Sequence, residues 1–405
     1  MNPFIAIIFA SLLARLSYQM ARSPVLPTFA ADLGISPEFI GVIVAASTVT
    51  GIFFKLPSGA LSDVLGRKHI MVLGGLFFAI PPFLYPFVQE PWSLLALRFV
   101  HGFATAIFSP VAAAYVGSLG ETGRGARFGW FASANDIGAT AGPLVGGFVL
   151  YFTTSFSLTF LLVGVLGVFA LLGVIALPDR DRPAPEAKTF GGRAAEFQKG
   201  LAEVFRTPPI FIAGGIEAVM YIGYGAFLGF LPIYARNVGL NYAEIAVVLG
   251  AQLIFAMVAK PISGTVSDRI GRIPVIVIGL LLCAAALPLM FRSESLTAFI
   301  LVAPLLGLGV GAVTPVTNAL TADVASARGL GAAMGVFGTV LDIGEAAGPM
   351  IAGFLVGGLG YAATFDVLAG MTALVAFGVM ALVRDPQTAA ARRPSDRESL
   401  GERRP

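Results

Sequence analysis

Ser11, Arg15, Tyr18, Gln19 and Arg22 fall at positions i, i+4, i+7, i+8 and i+11 inside an apolar run. On an α-helix that spacing draws one polar stripe. Glu217, Tyr221 and Tyr224 draw a matching stripe in a later apolar run, at i, i+4 and i+7. Arg98, Asp136, Asp342, Glu345 and Asp366 are further charges set among apolar neighbours. A charge at mid-bilayer depth costs about 2.5–3.5 kcal/mol even on the lenient insertion scale, so such groups face protein or water. The chemistry within their reach is recognition and proton carriage. Guanidinium groups suit carboxylate or phosphate, and a carboxylate can take up and release a proton. No nucleophile–base set and no Gly-x-x-x-x-Gly-Lys-[Ser/Thr] loop occurs, so neither an enzyme nor an ATP-driven pump is expected. The single cysteine, Cys283, and the widely separated His69 and His101 suggest no metal site, and no cofactor is expected.

The elements that hold these residues follow from composition. The chain has 405 residues, of which 57% are hydrophobic and only 12% are Asp, Glu, Lys or Arg. That charge content is about half that of a soluble domain, and only lipid lets so many apolar side chains face outward. Segments long enough to span a bilayer lie near 3–26, 37–61, 69–88, 92–117, 127–151, 156–177, 209–233, 242–265, 272–291, 296–320, 330–357 and 361–383. The first runs past the length of a signal sequence and reads as a retained helix. The expected organisation is a six-helix bundle over 1–177, a polar linker over 178–208, a second bundle over 209–383 and a charged tail over 384–405. A short amphipathic helix is expected within the linker, near 194–205. Placing both termini in the cytoplasm of an inner-membrane protein leaves nineteen basic residues on that side and two, Arg236 and Arg292, on the other. The net charge of +3, without a basic run interleaved by aromatics, argues against nucleic acid.

The two halves repeat. Gly59-Ala-Leu-Ser-Asp63-Val-Leu-Gly66-Arg67 returns 205 residues later as Gly264-Thr-Val-Ser-Asp268-Arg269-Ile-Gly271-Arg272, and Lys55 returns as Lys260. Asp136-Ile-Gly138 with Gly142-Pro143 returns 206 residues later as Asp342-Ile-Gly344 with Gly348-Pro349. Blocks in register imply two bundles of like fold related by an axis along the membrane normal. Glu217 and Glu345 lack acidic counterparts, standing opposite Leu12 and Ala139. Asp136 and Asp342 answer each other and read as a packing or capping pair.

The run from Gly59 to Lys68, and its partner from Gly264, resemble the loop signature of the major facilitator superfamily. Val64 and Ile273 depart from its basic residues. Leu94-x-x-x-Arg98-x-x-x-Gly102 resembles the arginine motif of proton-coupled antiporters. Gly138-x-x-x-Gly142-Pro143-x-x-Gly146-Gly147 resembles the antiporter motif of drug exporters. The resemblance implies an all-α membrane protein of twelve transmembrane helices in two pseudo-symmetric bundles. It also implies that Gly59, Asp63, Gly66, Arg67 and Lys68, with Gly264, Asp268, Arg269, Gly271 and Arg272, latch the halves on the cytoplasmic side. The close glycines, at every fourth position, offer a smooth packing face.

The expected function is proton-coupled export of a small molecule by alternating access. The expected partners are that substrate, protons and the lipid bilayer, with a monomer as the working unit. Arg15, Tyr18, Gln19, Arg22, Arg98, Tyr221 and Tyr224 are expected to line the cavity, with Arg22 near the far mouth. Glu217 leads the proton-coupling candidates, ahead of Glu345, Asp136 and Asp342; a fixed ion pair of Glu217 with Arg15 is the alternative. Two other readings stay open: a carrier of a small anionic metabolite (organic acid, sugar or phosphate ester), and a non-transporting receptor of the same fold. Arginines standing apart from Asp136 in the cavity favour the anion carrier. A blocked cavity favours the receptor.

Overall fold

The computed structural model of the chain describes residues 2–119, 123–179, 208–324 and 330–383. The described residues are almost wholly helical. In chain order the spans are α1 (Pro3–Asp32), α2 (Pro37–Leu65), α3 (Arg67–Phe87), α4 (Pro91–Ser118), α5 (Arg124–Thr153) and α6 (Phe156–Ile175). The second half adds α7 (Pro208–Asn237), α8 (Tyr242–Ile270), α9 (Arg272–Met290) and α10 (Leu296–Val324). The helical stretch Leu330–Leu382 is broken at Gly360, whose φ is 75°, into α11 (330–359) and α12 (361–382). The result is the twelve-helix membrane architecture expected from the apolar runs.

Local chemistry sets the helix ends. Pro37 and Pro91 start helices at the first turn, where a missing N–H costs nothing. Asn241 and Glu244 close a capping box at the start of α8. Gly66 and Gly271, with φ of 94° and 99°, make the same sharp corner in each half, from α2 into α3 and from α8 into α9. A side chain would strain either corner. Several helices outrun their apolar cores. α1 reaches Asp32 rather than ending near 26: the chain kinks at Ser23, where the backbone is extended (φ −155°, ψ 133°), and resumes as helix from Leu26. α2 and α8 carry on to Leu65 and Ile270 as polar last turns beyond the apolar stretch. The linker helix expected near 194–205 and the tail after Arg384 lie outside the described residues.

The helices pair alike in both halves. α1 packs on α5 and α6, α2 on α4, and α3 on α4 and α6; α7 packs on the 330–382 stretch, α8 on α10, and α9 on α10 and on that same stretch. The bundles meet chiefly through α2 with α11 and α5 with α8, and α1 also touches α7. Large apolar side chains point outward from the peripheral helices, among them Phe87 (79% exposed), Phe152 (77%) and Leu374 (71%). Such a surface is stable only against lipid.

Candidate functional site

A cavity of about 420 Å³ lies between the bundles. It is lined by α1, α2, α4 and α5 from one half and α7, α8, α10 and α11 from the other; α3, α6, α9 and α12 contribute nothing to it. Arg15, Tyr18, Gln19 and Arg22 all reach it, as the stripe on α1 requires, and so do Tyr221 and Tyr224 of α7. The two tyrosine rings meet edge to face at 5.7 Å, and Tyr224 donates a hydrogen bond to Gln252 Oε1 at 3.3 Å.

Three ion pairs bridge the halves across this space. Arg22 binds Glu345. Lys55 Nζ lies 2.5 Å from Asp342 Oδ2, and Lys260 Nζ lies 3.1 Å from Asp136 Oδ2. Arg22 therefore does not snorkel to the far mouth: it lies just before the kink of α1 at Ser23 and reaches the cavity, where Glu345 compensates its charge. Asp136 and Asp342 are likewise not internal packing or capping groups, because each is bound by a lysine of the opposite half. Lys55 and Lys260 were not among the expected site residues. The signal was present, since both recur in the repeat one residue out of phase with the aspartates. What was missing is the crossing of the bundles that joins them.

Arg98 and Glu217 are both fully buried and neither lines the cavity. The Arg98 guanidinium sits 5.0 Å from the centre of the Tyr18 ring, so Tyr18 stands between it and the cavity. His101, one turn on, shares a buried contact with Tyr85 at 3.2 Å. Glu217 accepts a hydrogen bond from Thr317 Oγ1 at 2.5 Å, while its Oε1 meets no partner among the described residues. It makes no ion pair with Arg15. The carboxylate lies behind Tyr221 and Thr314, both of which do line the cavity.

The glycine face of α5 packs on α1. A Cβ at Gly138 would stand 2.8 Å from Leu12 O, one at Gly142 would stand 2.6 Å from Gln19 Cβ, and one at Gly146 would stand 2.8 Å from Met20 O. Gly147 turns the other way, toward Tyr242 and Ala246 of α8 in the opposite half. Pro143 is buried within the same helix. Beyond the cavity, on the side away from the termini, the halves interlock: Gly41 of α2 meets Pro349, Gly353 of α11 meets Pro37, and Gly250 of α8 meets Leu144. Toward the termini the helices part. Gly59 and Gly264 have open space where a Cβ would go. Neither glycine brings its helix close to a described neighbour in this state. The loop signature of the second half is instead held within its own bundle, with Arg272 paired to Asp268 at 2.6 Å and to Asp323 at 3.1 Å. Gly271 forms the corner beside it, and Arg269 is exposed. Arg67 and Lys68 begin α3 after the matching Gly66 corner. The Asp63 side chain lies outside the described residues. Asp366 of α12 forms a two-pronged pair with Arg292, at 2.7 and 2.5 Å, away from the cavity.

The Lys55–Asp342 pair gives a direct expectation. Replacing Lys55 by Met removes a bridge whose lysine is 43% and whose aspartate is 10% exposed, worth about 1 kcal/mol or more, or at least about a fivefold change in population. Spin labels at Gly59→Cys and Gly264→Cys should then report less of the widely separated state, in which the pair is formed, and the swap Lys55→Asp with Asp342→Lys should reverse it. An unchanged distance distribution would show that the pair does not hold the halves.

Comparison with known proteins agrees with this geometry. Residues 7–234 and 213–404 each match the family profile described as Major Facilitator Superfamily. Multidrug resistance protein 1 of Bacillus subtilis is 25% identical over 343 residues, spanning 82% of this chain and 84% of that protein. Quinolone resistance protein NorA of Staphylococcus aureus is 25% identical over 340 residues, with 82% and 84% spanned. The crystal structure of the nucleoside transporter NupG superimposes with a TM-score of 0.81 over 95% of this chain and all of that one, at 14% identity, a likeness of fold alone.

Proposed function

The chain belongs to the major facilitator superfamily, and we propose that it exports a small molecule across the inner membrane in exchange for protons, with both termini in the cytoplasm and the monomer as the working unit. Membership of the family makes it a membrane transporter rather than an enzyme. The observation that carries the finer reading is the polar cavity between the halves, interlocked on one side and parted on the other. Rocking of one bundle against the other about such a site exposes it to each face in turn. With the termini cytoplasmic, this is the inward-open state. Closure would bring the Gly59 and Gly264 corners together and give the loop signatures their latching role. The halves 1–177 and 209–383 are the rocking units, joined by the polar linker.

Proton coupling in this reading rests on Glu217. It is buried one turn from cavity residue Tyr221 and, among the described residues, holds a single hydrogen bond and has no cationic partner. Glu345, Asp136 and Asp342 are each committed to an ion pair, which ranks them behind it. The relatives named for multidrug and quinolone resistance support export. The test is reconstitution in liposomes with an imposed pH gradient and a panel of labelled organic cations and organic acids. Uphill movement that stops when a proton ionophore collapses the gradient is expected. Uphill movement indifferent to the ionophore would remove the coupling, and no movement of any solute would remove the export reading.

A further inference from the structure

Every charge that lines the cavity has a partner of opposite sign except one. Arg22 has Glu345, Lys55 has Asp342 and Lys260 has Asp136. Arg15 makes no hydrogen bond and no ion pair among the described residues. The cavity therefore holds four cationic groups against three carboxylates. A charge without a direct partner at this depth is costly, and Arg15 lines the space a solute would occupy.

We infer that Arg15 is the docking point for an anionic group, carboxylate or phosphate, on the transported molecule. This rests on the transport reading above and adds to it the class of substrate. A guanidinium presents two parallel N–H groups to either anion. Tyr221 and Tyr224, across the cavity on α7, present ring faces and edges to an apolar or aromatic body attached to it. The substrate class is thus an organic anion with a flat or apolar body. A singly charged anion would balance the fourth cationic group of the cavity lining.

The experiment uses the full chain in lipid nanodiscs with three matched probes: benzoate, phenyl phosphate and benzylammonium. Binding is read by thermal shift and by titration calorimetry. One or both anions should saturate a single site and raise the unfolding midpoint, and the cation should not; which anion does so separates carboxylate from phosphate. In Arg15→Gln the anion affinity should fall at least about tenfold, the loss of one charge-assisted contact of about 1.4 kcal/mol or more, and Arg15→Lys should restore part of it. Binding of benzylammonium alone, unaltered anion binding in Arg15→Gln, or no binding by any of the three would each overturn the assignment. Proteoliposome exchange of an organic cation, measured in parallel, keeps the two readings apart. If exchange persists while the anion arms fail, transport stands and the substrate class falls; if both fail, transport falls as well.

Discussion

Gly142→Leu should abolish transport while leaving the chain inserted in the membrane at its normal level. A Cβ alone at this position would lie 2.8 Å from the Met20 backbone nitrogen as well as against Gln19. Backbone cannot give way as a side-chain tip does, so α1 has to move as a body. Overpacking of this kind costs about 1–3 kcal/mol, too little to expel a helix from the bilayer. It is enough to carry Arg15 and Gln19 off the cavity wall, and a misplacement of about 1 Å costs on the order of a hundredfold in activity. Gly370→Leu, where a Cβ meets nothing within 4 Å on the exposed side of α12, is the matched control and should transport normally. Flux through Gly142→Leu equal to that of the control would show that the glycine face sets nothing about the site.

Glu217→Gln should uncouple the carrier without stopping it. One unit of pH gradient supplies about 1.4 kcal/mol per proton, enough for about tenfold accumulation. With the amide in place that ratio should fall to about one, while downhill exchange of solute continues. Thermal stability should hold, because Gln keeps an oxygen for the Thr317 hydroxyl and no cation loses its partner. A structural carboxylate would behave otherwise: its loss would lower stability and leave the accumulation ratio intact. Glu345→Gln is the contrasting case. It strands Arg22, whose side chain is 12% exposed, and removing one member of a buried pair costs about 3–5 kcal/mol. That variant should lose thermal stability, which separates a group that carries protons from one that holds the halves together.

Much of this was legible before any coordinates. Twelve apolar runs, a repeat at an offset of 205–206 and glycines at every fourth place were enough to expect two like bundles and a close-packing face on α5, though not that α1 would occupy it. The stripes on α1 and α7 placed Arg15, Tyr18, Gln19, Arg22, Tyr221 and Tyr224 on the cavity because helical periodicity acts within one element. Periodicity is silent about depth and about what lies opposite. Arg98 and Glu217 share faces with cavity residues yet sit one layer behind them, Arg98 screened by Tyr18 and Glu217 by Tyr221. The partners of Asp136 and Asp342 were beyond reach for the same reason, since each ion pair joins residues more than 120 positions apart on helices that meet only when the bundles dock.

The crossed lysine–aspartate pairs have a bearing on assembly. Each half supplies one lysine and one aspartate, so the seam is self-complementary: by these charges alone, either half would accept a second copy of itself as readily as its true mate. Discrimination has to come from a contact that occurs once. Arg22 with Glu345 is one such contact, because the repeat places Phe227 and Ala139 where their counterparts would stand, and Asp32 with Arg236 is another, facing Asn237 and Ala31 in the repeat. If the two halves are expressed as separate polypeptides, these two asymmetric bridges are what tell one half from the other, and removing both would leave like halves free to associate.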